Sequence, residues 1–188
     1  EPYRRQRQMC IRDRMREDGY SWWTMRLRKM STLYDVIRID HFRGFDSYYA
    51  IPGKDTTARN GVWRNGPGME LFRAVEEKLG KLDIIVEDLG FLTPSVLQLV
   101  ADSGYPGMKV VQFAFDSRDD SDYMPHNYDK HCVVYTGTHD NDTILGWMKQ
   151  APKNSVKKAK EYLRMTKEEG YNWGMTVSYT HLTLPTIR

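Results

Sequence analysis

The chain has 188 residues, 40% of them hydrophobic, 12% aromatic and 28% charged, the composition of a globular protein with one substantial core. No apolar run approaches the ~18–20 residues of a membrane span and no charged-then-apolar leader opens the sequence, while Cys10 and Cys132 form neither a disulfide framework nor a zinc spacing, so a reducing cytoplasm is expected. The formal charge of +3 sits in the tails: six arginines in residues 1–16, with Arg188, leave 21 basic side chains against 23 acidic in residues 17–176, which is no nucleic-acid surface.

In chain order, residues 1–16 stand apart. They open on Glu1, and QRQMCIRDR (6–14) has the look of translated adaptor sequence, so this tail is expected to be non-native. Tyr34–Asp40 is a β-branched run that places Val36, Arg38 and Asp40 on one face and Ile37 and Ile39 on the other, a strand with a functional side. Met69–Leu79 carries Met69, Phe72, Val75 and Leu79 at helical spacing and stops at Gly80. Ile84–Glu87 reads as a buried strand. Thr93 as N-cap and Pro94 in the first turn predict a helix through Val96, Leu97 and Val100 to Gly104. Met108–Phe115 is the next strand and Cys132–Thr136 the one after. Asp142 is expected to cap a short helix through Trp147, and Val156–Glu169 is predicted as one amphipathic helix closed by Gly170. The last segment, VSYTHLTLPTIR (177–188), reads as a second non-native tail, leaving 17–176 as the native segment. The alternation of strand and helix predicts an α/β fold with parallel strands and crossover helices.

Three carboxylates stand where strand-like runs end: Asp40 in YDVIRIDHFRGF (34–45), Glu87 in LDIIVEDLGF (82–91) and Asp140 in VVYTGTHDND (133–142). In a (β/α)8 barrel the strand C-termini converge on one mouth, so acids far apart in sequence can meet there. Such a set suits cleavage of a sugar acetal, which needs one carboxylate in attack position and one carboxylic acid to protonate the leaving oxygen. Arg38, on the strand face of Asp40, favours the charged carboxylate a nucleophile requires. Glu87 needs a partly desolvated setting to donate a proton near neutrality, and the apolar Ile84–Val86 before it is compatible with that. Taken singly, each element has a plainer reading: Arg38–Asp40 as a structural ion pair, Glu87–Asp88 as a loop or cap, and His139–Asn141 as a turn leading into a helix. Trp22, Trp23, Tyr48, Tyr49, Trp63 and Tyr105 can either stack on sugar rings or pack in the core. A Mg²⁺ site on the three carboxylates is opposed by Arg38 beside Asp40, and no His-x-His spacing exists, so neither metal nor cofactor is expected.

The strings RIDHFRGF (38–45), VEDLGFLTPSV (86–96), PGMKVVQFAF (106–115) and VVYTGTHDNDTILGW (133–147) closely resemble the amylomaltase family of 4-α-glucanotransferases, glycoside hydrolase family 77. The resemblance covers roughly 160 residues and corresponds to the C-terminal half of the catalytic barrel. It implies a partial (β/α)8 TIM barrel, about strands four to seven, with Asp40 as nucleophile, Glu87 as general acid/base and Asp140 as transition-state stabiliser. Arg38 and His139 are then substrate-binding residues, and Gly66-Pro67-Gly68 resembles a segment on the acceptor side. The implied partner is an α-1,4-glucan, with no nucleic acid, no membrane and an oligomeric state left open. An α-amylase-type hydrolase shares the Arg-x-Asp, Glu and His-Asp logic, but such enzymes usually carry a His four residues after the nucleophile, where this chain has Gly44. A truncated segment that only binds glucan is the remaining alternative.

Overall fold

The computed structural model describes residues 14–90, 92–115 and 122–183. Cys10 and the greater part of the 1–16 tail lie outside them. The chain forms two compact units, one up to Gly107 and one from Met108.

In the first unit, helix α1 (Ser21–Ser31) buries only Thr24 and Leu27, a stripe too narrow to stand out in a segment rich in arginine and lysine. Strand β1 is Ile37–Ile39, shorter than the expected 34–40, because the amides of Leu33 and Tyr34 are used on the Met30 carbonyl at the end of α1. The alternation of β1 is as expected: Ile37 and Ile39 are buried, Val36 is exposed and Arg38 is half-buried. A 3-10 turn, Phe42–Phe45, leads into a hairpin of β2 (Ser47–Ala50) and β3 (Val62–Asn65), paired antiparallel with Tyr49 opposite Trp63. The hairpin carries no sequence signal, since its 51–61 connection lacks a two-residue turn.

Helix α2 (Met69–Leu79) has the predicted bounds and buries Leu71, Phe72 and Val75. Strand β4 (Ile84–Val86) lies parallel to β1, with Ile37 opposite Ile84, Arg38 opposite Ile85 and Ile39 opposite Val86. Helix α3 (Pro94–Ser103) begins as predicted, with the Thr93 hydroxyl accepting from Val96 N at 3.4 Å, and ends at Gly104, whose φ of 63° lies in the left-handed region open to glycine. The core of this unit is aromatic at its centre. Phe42 is fully buried against Phe72 (ring centroids 5.2 Å) and Tyr105 (6.4 Å), and Phe45 packs on Phe72 at 5.0 Å. Each such ring contributes about 1.5–3 kcal/mol by burial.

In the second unit three expectations are corrected. The expected 108–115 strand is two elements, β5 (Gly107–Val110) and a 3-10 turn, Val111–Phe115. Val111, Gln112, Ala114 and Phe115 are all buried, which a period-two strand with one open face cannot do, whereas 3-10 spacing puts Val111 and Ala114 on one side. After β6 (Cys132–Tyr135), which pairs with β5, the cap of α4 (Ile144–Gln150) is Thr143 rather than Asp142. Thr143 Oγ1 accepts from Gly146 N at 3.1 Å, while the Asp142 carboxylate accepts from Thr143 N and from Gln150 Nε2. The helix predicted over 156–169 is instead α5 (Lys153–Tyr162) followed, after a turn, by α6 (Tyr171–Thr183). Arg164 takes φ 49°, and the break turns Leu163 and Met165 into the core, where they are 7% and 9% exposed. Helix α6 runs across the expected boundary at 176.

Among the described residues the strands form three two-stranded pairings, β1 with β4, β2 with β3 and β5 with β6. Val86 N also donates to Pro106 O, just before β5. No helix among the described residues is long and apolar enough to cross a membrane.

Candidate active site

Strands β1 and β4 run side by side in one direction, so the residues just beyond their paired ends, Asp40 and Glu87, emerge at the same edge. Asp40 is open to solvent, its side chain 72% exposed, and its Oδ1 lies 3.0 Å from Nη2 of the half-buried Arg38. A guanidinium on the same strand face holds the carboxylate in place and complements its charge.

Glu87 is half-buried and held by the backbone of the neighbouring strand. Its Oε2 accepts His41 N at 2.7 Å, its Oε1 accepts Leu89 N at 3.0 Å, its own carbonyl accepts Phe42 N at 2.9 Å, and its amide donates to Ile39 O at 2.9 Å. The backbone just after the first of these bonds is unusual. His41, directly after Asp40, has φ 48° and ψ 53°, a left-handed conformation that costs a non-glycine residue about 1–2 kcal/mol. It turns the chain immediately after the His41 amide, so that the next amide, Phe42 N, comes to the Glu87 carbonyl while His41 N holds the Glu87 side chain. The two carboxylate-bearing segments are therefore joined by main-chain bonds on either side of Asp40.

A groove of about 770 Å³ opens beside Asp40, lined among others by His41, Trp22, Trp23, Tyr48 and Pro67. The candidate stacking residues separate accordingly. Trp22, 43% exposed, meets Trp23 edge-on at 5.1 Å, and Tyr48 faces the same groove. Tyr49 and Trp63 form a cross-strand pair at 5.3 Å, with the Arg43 guanidinium 4.7 Å from the Trp63 ring. Tyr105 is part of the aromatic core. The Gly66-Pro67 turn is a wall of the groove and comes so close to the Asp40 loop that a Cβ on Gly66 would lie 2.2 Å from Phe45 O. A bidentate ion pair, Arg16 to Glu70 at 2.8 Å, stands at the groove as well, and Arg16 belongs to the tail expected to be foreign.

In the second unit, His139 and Asp140 lie in the turn after β6, about three-quarters exposed, with His139 Nε2 3.3 Å from Asp140 Oδ1. The turn is organised by Asn141, whose Oδ1 accepts from Thr138 N and Thr138 Oγ1 at 2.8 and 3.0 Å. The plainer reading of these residues as a turn before a helix is thus correct as structure, and it presents both side chains outward. Sequence reasoning missed the role of the His41 amide, for which no residue-type signal exists, and that of Asn141.

The family model for 4-alpha-glucanotransferase, glycoside hydrolase family 77, matches residues 9–183. A 4-alpha-glucanotransferase of Clostridium butyricum is 48% identical over 162 residues, covering 86% of this chain and 33% of that protein. One from Thermus thermophilus is 44% identical over 166 residues, covering 87% and 32%. The solved structure of an amylomaltase from Streptococcus agalactiae in complex with acarbose superposes with a TM-score of 0.84 at 38% identity, covering 89% of this chain and 34% of that one. The chain spans about a third of the length of these relatives.

Proposed function

Because this chain belongs to the 4-alpha-glucanotransferase family, we propose that it carries the catalytic pair of an enzyme that transfers α-1,4-glucan segments between maltodextrins with retained configuration. The observation that supports this most is the placement of Asp40 and Glu87 at adjacent parallel strand ends, cross-braced by the His41 amide.

In this reading Asp40 attacks the anomeric carbon while Glu87 protonates the departing glucan oxygen, giving a glycosyl-enzyme ester. Glu87 then takes the proton of an acceptor hydroxyl as that oxygen displaces Asp40. Arg38 orients Asp40 and complements its charge, and Asp140 with His139 binds sugar hydroxyls at the cleaved residue, where charge develops. The groove beside Asp40, with its indole and phenol faces, receives glucose rings. Residues 17–176 supply about strands four to seven of a (β/α)8 barrel, and the remaining strands belong to the rest of a longer enzyme. The chemistry is acid–base and nucleophilic throughout and calls for no cofactor.

The test is made on the full-length enzyme. Wild type should convert maltotriose into glucose and longer maltodextrins with little net gain of reducing ends. Asp40→Asn should abolish covalent labelling by a fluorinated glucosyl donor, whereas Glu87→Gln should still be labelled by donors with good leaving groups. Wild-type labelling of Asp40→Asn would exclude the assignment, and a steady gain of reducing ends would favour hydrolysis.

A further inference from the structure

The loops that follow Asp40 and Glu87 are tied together a second time, at their far ends. Asp46 closes the 3-10 turn after Asp40, and Ser95 opens α3 after Glu87. Ser95 Oγ donates to Asp46 Oδ2 at 3.1 Å, and Ser47 Oγ donates to the same oxygen at 2.9 Å. The Asp46 carbonyl accepts Gly66 N at 2.7 Å, and Phe45 O accepts Gly68 N at 2.8 Å. One residue therefore joins the Asp40 loop, the start of α3 and the Gly66-Pro67 wall of the groove.

Proton counting gives this network a direction. Ser95 has a single hydroxyl hydrogen, and it goes to Asp46. The 3.0 Å contact between Thr93 Oγ1 and Ser95 Oγ is then a donation from Thr93, whose oxygen in turn accepts Val96 N. The donors run from Thr93 to Ser95 to the Asp46 carboxylate, an acceptor-only end point. With the His41–Glu87 bond at the near end, the two loops are braced at both ends, and neither can swing without the other.

Resting on the glucanotransferase reading, we infer that Asp46 is a positioning residue for the transfer reaction: through Ser95 and Gly66 it sets the placement of the Asp40 and Glu87 carboxylates relative to each other and to the groove wall. Positioning of this kind is where retaining catalysis is sensitive, since a misplacement of about 1 Å can cost roughly 100-fold in rate. Both side-chain bonds land on one oxygen, so an asparagine carbonyl in that place keeps them. The charge of Asp46 is not what the network needs.

The experiment uses steady-state maltotriose disproportionation by the full-length enzyme, with melting curves to set a temperature at which every variant is folded. Asp46→Ala and Ser95→Ala should each lower kcat about tenfold or more with KM changed less than about threefold, and Asp46→Asn should return kcat to within about threefold of wild type. The double variant should fall little further than Asp46→Ala alone, as expected of two members of one network. Wild-type kcat in folded Asp46→Ala, or an Asp46→Asn as impaired as the alanine variant, would overturn the inference. If Asp46→Ala does not fold, Ser95→Ala, which removes a single hydroxyl, decides by the same criterion. The reading beneath it fails separately: turnover by Asp40→Asn sinks both, whereas a dead Asp40→Asn beside fully active Asp46→Ala and Ser95→Ala sinks the Asp46 inference alone.

Discussion

The Tyr128 hydroxyl is buried without a hydrogen-bond partner among the described residues, and burial, aided by Cys132, Tyr162 and Tyr123, pushes its pKa up. A tyrosine ionises near pH ~10 in the unfolded chain, so the folded state holds this proton longer than the unfolded state does. Its contribution to stability is complete below pH ~10 and is lost as pH rises from there toward the folded value. Tyr128→Phe should therefore leave stability at pH 7 unchanged or raise it by about 1 kcal/mol, because an unsatisfied buried hydroxyl is removed. It should also flatten the loss above pH ~10. Urea unfolding at both pH values checks this, and a clear loss at pH 7 would reveal a partner for the hydroxyl. At the same scale, Asp40 beside Arg38 was legible because alternation along a strand assigns faces residue by residue, and Glu87 because a buried run precedes it. His41, Asp46 and Ser95 were not. A left-handed backbone at a non-glycine residue leaves no trace in composition, and a serine or aspartate in a loop has many ordinary partners to choose from.

Among the elements, α3 offers a clean comparison of local and tertiary contributions. Thr93→Ala removes the only side-chain cap of that helix and should cost about 1 kcal/mol. Phe72→Ala, which empties the contact between α2 and the rings of Phe42, Phe45 and Tyr105, should cost about 3–5 kcal/mol. Denaturant midpoints of the two variants of the full-length enzyme would show the order, and equal losses would mean that the aromatic cluster relaxes around the gap. Helices α2, with a stripe and a terminal glycine, and α3, with a cap and a terminal glycine, were read from the sequence to the residue or nearly so. Where the reading failed, burial overrode pattern. The apolar 108–115 run left strand geometry to bury consecutive residues, and the 156–169 run broke so that Leu163 and Met165 could turn inward. The hairpin and α1 escaped notice because their apolar side chains face grooves and solvent as much as core.

For the molecule as a whole, each unit has its own buried cluster, Phe42 and Phe72 among others in one, Phe115 and Met175 in the other. Among the described residues β1 and β4 form a two-stranded ladder, with one further backbone bond from Val86 to Pro106, and two-stranded sheets are marginal by themselves. The 188-residue chain expressed alone should therefore melt with weak cooperativity and release no glucose from maltotriose, although Asp40, Glu87 and Asp140 are all present. Robust turnover would show that this chain, or an assembly of it, completes the site. The parallel pairing of Ile39 with Val86 has a further consequence, one of timing. On the ribosome, β1 emerges before β4, and this pairing cannot form until the chain through Val86 follows, a wait of seconds at about 5–20 residues per second. The hairpin nested between them can close in about 1–10 μs, so it is finished long before its surroundings. For that whole interval the edge of β1 that β4 will cover stays open, and Asp40 and Glu87 meet only after synthesis has passed them both.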